Sequence, residues 1–233
     1  MNKTYEVSGK PLEVLRDLEL TLCADRITVV LGQSGCGKTT LLRIVAGLEE
    51  ADSGRVEFSA ESKTGIMFQE PRLMPWLTVR RNITFGLKKR EITKELVDRL
   101  IRMTGLNGFE DAYPSQLSGG MQQRVALARV LAYDASYILM DEPFAALDYF
   151  TRKKMQNELL RIWEESRKGV LFVTHSIDEA LVLGHRIVIL ENGKSKKEYD
   201  LSGCAYPRDL LSPDMIAVKK DIIENIETDG QTG

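Results

Sequence analysis

Gly32-Gln33-Ser34-Gly35-Cys36-Gly37-Lys38-Thr39 joins three glycines to a lysine and a hydroxyl within eight residues. Glycines let a backbone wrap closely around phosphate without Cβ clashes. Successive N–H groups, together with the N-terminus of a following helix, present partial positive charge to the β- and γ-oxygens. Lys38 adds a full charge there, and the hydroxyl of Thr39 suits Mg2+. Cys36 lies beside Lys38 and a helix start, both of which favour thiolate, so it is the expected reactive thiol. The acids that would complete phosphate chemistry are Asp141 and Glu142, at the end of the apolar run Tyr137–Met140. Asp141 is placed to reach the Mg2+ shell. Glu142, pointing another way from an extended backbone, is placed to polarise an attacking water.

These residues need elements to hold them. Ile27–Leu31 precedes the glycine loop, and an apolar helix starting near Thr40 follows it, which is the strand-loop-helix context a P-loop requires. Ile66–Phe68, Tyr137–Met140, Val170–Thr174 and Ile187–Leu190 also read as buried parallel strands separated by helical stretches, the α/β pattern. Leu18, Leu20 and Leu22 alternate with Glu19 and Thr21, as in a half-buried antiparallel strand. Asn192-Gly193 predicts a hairpin to Ser195–Tyr199. From Glu70 to Ala132 strand signals fade. Leu96, Val97, Leu100 and Ile101 recur at helical spacing, with Thr93 to cap the start and Gly105 the end. Ser212–Ile226 predicts a further helix.

The composition agrees with a globular chain, with 28% charged and 43% hydrophobic residues among 233. The 32 Lys and Arg against 34 Asp and Glu leave a net charge of −2, which argues against wrapping nucleic acid. No apolar run approaches 18 residues, so no membrane span is expected. The polar start Met-Asn-Lys-Thr-Tyr lacks a signal core. Three cysteines fit a reducing compartment rather than a disulfide framework.

Leu117-Ser118-Gly119-Gly120-Met121-Gln122-Gln123-Arg124 resembles the signature sequence of ABC-transporter ATPases. Gln69, Ala145-Ala146-Leu147-Asp148 and His175 follow the family's order. The resemblance implies a P-loop NTPase (RecA-like) α/β core with a parallel sheet, an antiparallel β edge subdomain and an inserted α-helical subdomain. Residues 1–69 and 133–200 would form the core, 70–132 the helical subdomain and 201–233 a short helical tail. ATP would be bound by Gly32, Gln33, Ser34, Gly35, Cys36, Gly37, Lys38, Thr39 and Thr40, with Tyr5 stacked on adenine. Mg2+ would be held by Thr39, Gln69 and Asp141, and catalysis would involve Glu142, His175 and Gln69. Ser118, Gly119, Gly120 and Gln122 would reach the ATP of a second copy in a nucleotide-sandwich homodimer, and Asp148 would bridge the copies.

Phe68-Gln69-Glu70-Pro71-Arg72-Leu73-Met74-Pro75-Trp76-Leu77-Thr78-Val79 narrows the resemblance to the nitrate/sulfonate/taurine-type importers. It implies a motor on the cytoplasmic face of the membrane that drives separate permease subunits and, through them, serves a solute-binding protein, with no role for nucleic acid. Pro71 and Pro75 make 70–85 an exposed loop, with Leu73, Trp76 and Leu77 as expected permease anchors. An exporter motor or a soluble non-transport complex is the alternative. The chain departs from the family in Ala24-Asp25-Arg26 before the P-loop strand, in a short 55–65 segment and in the first Ala of Ala145-Ala146-Leu147-Asp148. Only four residues precede Tyr5, which predicts an abbreviated antiparallel subdomain with Tyr5 loosely held. His185, outside every motif, is expected at the surface.

Overall fold

In chain order the first elements are β1 (Lys3–Val7), β2 (Lys10–Leu15), β3 (Ile27–Leu31), α1 (Lys38–Val45), β4 (Thr64–Met67), α2 (Val79–Ile83) and α3 (Lys94–Met103). After them come α4 (Gly119–Ala132), β5 (Tyr137–Asp141), α5 (Tyr149–Ser166), β6 (Gly169–Thr174), α6 (Ile177–Leu183), β7 (Arg186–Glu191), β8 (Lys194–Asp200) and α7 (Pro213–Glu227). The computed structural model describes residues 1–58, 62–145 and 147–227. It divides into two units, Met1–Glu61 with Gly169–Gly233, and Ser62–Lys168. Ala146 of the sequence motif lies outside the described residues.

In the first unit, β3 lies between β6 and β7, parallel to both, with Val29 opposite Phe172 and Ile187. All five residues of β3 are buried, as a strand covered on both faces requires. β8 turns back antiparallel to β7 through Asn192 and Gly193, whose φ values of 47° and 76° fit the primed turn that matches strand twist. The Asn-Gly hairpin is therefore where the sequence puts it.

One strand expected in this unit needs correction. Leu18–Leu22 forms no strand; Leu18 is buried and Glu19 exposed, so the alternation of burial is real, but the backbone is bonded elsewhere. Leu18 N–H donates to Met1 O at 3.0 Å, and Thr21 O accepts from Arg186. The N-terminal antiparallel part is a two-stranded sheet: β1 and β2 form a hairpin through Ser8 and Gly9, both at positive φ, with Tyr5 opposite Leu12.

In the second unit, β4 and β5 pair in parallel, Ile66 opposite Leu139. β4 ends at Met67, one residue before the expected end. The Phe68 ring instead lies 3.9 Å from the Arg72 guanidinium. A helical core gathers Val79, Ile83, Leu100, Ile101, Leu117 and Val125 from α2, α3, α4 and their connections, and Leu73 packs against it. The Thr93 hydroxyl accepts from Leu96 N–H at 3.1 Å at the start of α3, and Gly105 follows its end at φ 62°.

Candidate active site

The phosphate loop runs from β3 into α1, and its glycines are explained one by one. Gly35 and Gly37 sit at φ 84° and 106°, where a side chain is strained. A Cβ on Gly32 would lie 2.3 Å from Leu190 O, and one on Gly37 would lie 2.7 Å from Val14 O. Lys38 is buried, and its Nζ donates to Gly32 O and Gln33 O, both at 2.9 Å, so the lysine braces the loop that carries it. Thr39 is exposed and Thr40 half-buried. Residues 32–36 line a cavity of about 330 Å³ with Leu190, Asn192 and Ile226. Gln33 Nε2 donates to Ile226 O at 3.2 Å, so the last turn of α7 touches the loop, a contact no motif announces.

Tyr5 is not loosely held. Its hydroxyl donates to Glu49 Oε1 and lies 3.4 Å from Thr40 Oγ1. Burial, and next the Glu49 carboxylate, push its phenol above the ordinary value.

His175 is exposed at the end of β6. The turn presenting it is built by neighbours the sequence reading missed. Thr174 Oγ1 donates to the buried Glu179 Oε2 at 2.6 Å and accepts from Ser176 N–H at 3.0 Å. Ser176 Oγ caps α6 by accepting from Glu179 N–H. His185 is buried rather than at the surface. Its Nδ1 accepts from Ile27 N–H at 3.1 Å, and its ring meets Tyr206 edge to face at 5.2 Å. A polar residue between a loop and a strand gave no periodic signal of burial.

The second unit carries the acids and the signature. Asp141 is the buried last residue of β5. Glu142 does not continue an extended backbone. It sits at φ 43°, a left-handed conformation rare for a residue with a long side chain. The change of backbone region, rather than strand alternation, turns the second acid away from the first. Asp148 caps α5, its Oδ1 accepting from Phe150 N–H at 3.0 Å and Thr151 N–H at 3.1 Å. Hydrogen bonding from Thr151 first, and from these amides, holds its carboxyl below the ordinary value.

Ser118 caps α4 through Met121 N–H at 3.3 Å, leaving Ser118 and Gly119 exposed at a helix start. Such a start offers N–H groups to an anion. Gln122 faces the other way, its Nε2 donating to Pro114 O at 3.0 Å. Gln69 is exposed, and its carbonyl accepts from Gln123 Nε2 at 2.6 Å, so the loop after β4 is tied to the signature helix. Trp76 is 69% exposed.

A strand-loop-helix cradle for phosphate, an acid at the end of a second buried strand and a glycine-rich helix start define a P-loop ATPase of the ATP-binding cassette type. The sequence profile of the ABC transporter family matches residues 15–145. The chain belongs to this family, whose ATP-binding subunits hydrolyse ATP to power transport. It is 46% identical to the ABC transporter ATP-binding protein MJ0412 of Methanocaldococcus jannaschii, across 96% of this chain and 88% of that protein. Against the aliphatic sulfonates import ATP-binding protein SsuB of Bacillus subtilis the identity is 42%, across 97% and 91%. The taurine import ATP-binding protein TauB of Pelagibacter ubique is 43% identical, across 83% and 77%. Among solved structures, the dimeric post-hydrolysis state of the cassette MJ0796 bound to ADP and Pi superposes with a TM-score of 0.78 at 32% identity, covering 86% of this chain and 96% of that one. No helix among the described residues is long and apolar enough to cross a membrane.

Proposed function

We propose that this chain is the ATP-hydrolysing subunit of an importer for a small solute of the nitrate, sulfonate or taurine kind or a related one, working on the cytoplasmic face of the membrane with separate permease subunits. The observation that carries the reading is similarity to sulfonate and taurine import subunits across 97% and 83% of this chain. A solute-binding protein would choose the solute and hand it to the permease.

In this reading the N–H groups of 32–40 and the Lys38 ammonium bind the β- and γ-phosphates, and Tyr5 stacks on adenine through its ring while Glu49 fixes its hydroxyl. Thr39, Asp141 and Gln69 are the donors for Mg2+. A hydroxyl, a carboxylate and an amide suit this ion, which shares its shell with phosphate oxygens and water rather than a protein cage. Mg2+ when bound neutralises phosphate charge. Glu142 accepts a proton from the attacking water, and His175 and Gln69 orient the γ-phosphate. Ser118, Gly119 and Gly120 serve the ATP of a second copy, with Asp148 between copies, in a two-fold homodimer. The similarity to a dimeric cassette supports that arrangement. The permease docks on 70–85. The exposure of Trp76 favours it as an anchor, with the half-buried Leu77 beside it, while the half-buried Leu73 also packs against the helical core.

Glu142→Gln tests the assignment. The carboxamide keeps the shape but is a poor base, so ATP binding should persist, turnover should fall at least about a hundredfold and a stable ATP-bound dimer should appear by light scattering. Turnover at the wild-type rate would remove Glu142 from the mechanism. Solute class is tested with the chain, its permease subunits and their solute-binding protein in proteoliposomes, where an alkanesulfonate, taurine or nitrate should stimulate ATP hydrolysis. An unrelated cationic solute should not.

A further inference from the structure

The segment 69–78 is held by side chains from two helices. Gln123, 2% exposed, donates Nε2 to Gln69 O at 2.6 Å. Arg129 donates to Pro71 O at 2.8 Å and Arg72 O at 2.9 Å. Asn82 of α2, with no exposed surface, accepts from Met74 N–H at 2.8 Å and shares its amide hydrogens among Met74 O, Leu77 O and Thr78 O at 2.9 to 3.2 Å. Seven backbone groups from 69 to 78 are thus fixed by three side chains, and at the tip stands Trp76, turned to solvent.

Holding the loop this way has costs. Gln123 Oε1 is buried and finds no hydrogen-bond partner among the described residues, which is unfavourable. Arg72 sits at φ 45°. A plain connection between β4 and α2 needs neither feature. A docking loop gains from both, because a segment ordered beforehand loses less conformational freedom when its partner arrives.

We infer that Asn82, Gln123 and Arg129 are positioning residues that shape 69–78 before the permease binds and join it to α4, so that force received at Trp76 reaches Ser118–Gly120 at the start of that helix. The inference rests on reading 70–85 as the permease-docking segment. Gln123 and Arg129 lie on the same continuous 14-residue helix that Ser118 caps. Ser118 and Arg129 are about 16 Å apart along it at 1.5 Å per residue, a span a helix bridges as a rigid strut.

The test uses Arg129→Met, which keeps an unbranched stem but removes both donors, and Arg129→Lys, which keeps the charge without the fork. In the isolated subunit, Arg129→Met should raise hydrogen exchange of the 70–78 amides at least tenfold, leaving melting temperature and basal kcat and KM for ATP near wild type. In proteoliposomes with the permease subunits, transport-coupled turnover should fall at least tenfold, and Arg129→Lys should recover part of it. Wild-type exchange rates, or wild-type coupled turnover with raised exchange, would overturn the inference. If Arg129→Met fails to fold, Gln123→Met is the second variant, since it removes a buried orphan acceptor along with the donor. It should keep its melting temperature and lose coupling, and retained coupling would again overturn the inference. A wild-type subunit whose turnover ignores the permease would instead overturn the docking reading, a result read without any variant.

Discussion

The loops at 32–39 and 69–78 solve one problem in opposite ways. Each must hold an irregular backbone in a fixed shape and present it outward. The first does so from within: Gly35 and Gly37 adopt positive φ, Gly32 allows close approach to Leu190, and Lys38 bonds the carbonyls of Gly32 and Gln33, six and five residues away. The second has no glycine, and its carbonyls are met by Asn82, Gln123 and Arg129, up to 58 residues distant. An anion site needs its own N–H groups bare, so its support must come from backbone conformation. A protein-docking loop exposes a side chain, so its backbone can be fully bonded from behind.

Four substitutions probe the contrast, from the largest expected effect to the smallest. Lys38→Ala removes both the charge facing phosphate and the loop's internal brace. ATP binding should fall by two orders of magnitude or more in equilibrium dialysis, and near-normal affinity would break the account of the first loop. Gly37→Ala forces a side chain to φ 106° against Val14 O. It should cost about 3 kcal/mol or more in urea unfolding and weaken nucleotide binding as well. Asn82→Ala strips four backbone groups of their partner and should cost about 2–3 kcal/mol, yet leave ATP affinity of the folded protein close to wild type. Equal damage to ATP binding would mean that the two loops are not separable. Trp76→Ala should change stability by less than about 0.5 kcal/mol, as expected for an exposed residue, while weakening permease binding. A loss of several kcal/mol would place Trp76 in a core.

What the sequence discloses follows the same division. The phosphate loop, the mainly apolar and fully buried β3 and β5, the Asn192-Gly193 turn and the caps Thr93 and Ser118 are local patterns, each complete within a few residues. The β1–β2 hairpin was hidden because Lys3, Glu6, Lys10, Pro11 and Glu13 are poor strand formers; pairing and the Ser8-Gly9 turn override their propensity. Leu18–Leu22 carried the alternation of a strand but had no partner to pair with. His185 and Gln123 are buried polar residues bonded to partners far along the chain, Ile27 and Gln69, and no short window of sequence contains both ends of such a bond.

Glu142 occupies a backbone conformation that glycine or asparagine would adopt with less strain. Replacing it with asparagine should therefore make the protein about 1 kcal/mol harder to unfold. If Glu142 is the base proposed above, laboratory evolution guided only by heat resistance or expression yield would discard it early, and libraries sorted that way would fill with robust, silent proteins. Any engineering of this scaffold has to keep that position fixed and seek its stability elsewhere.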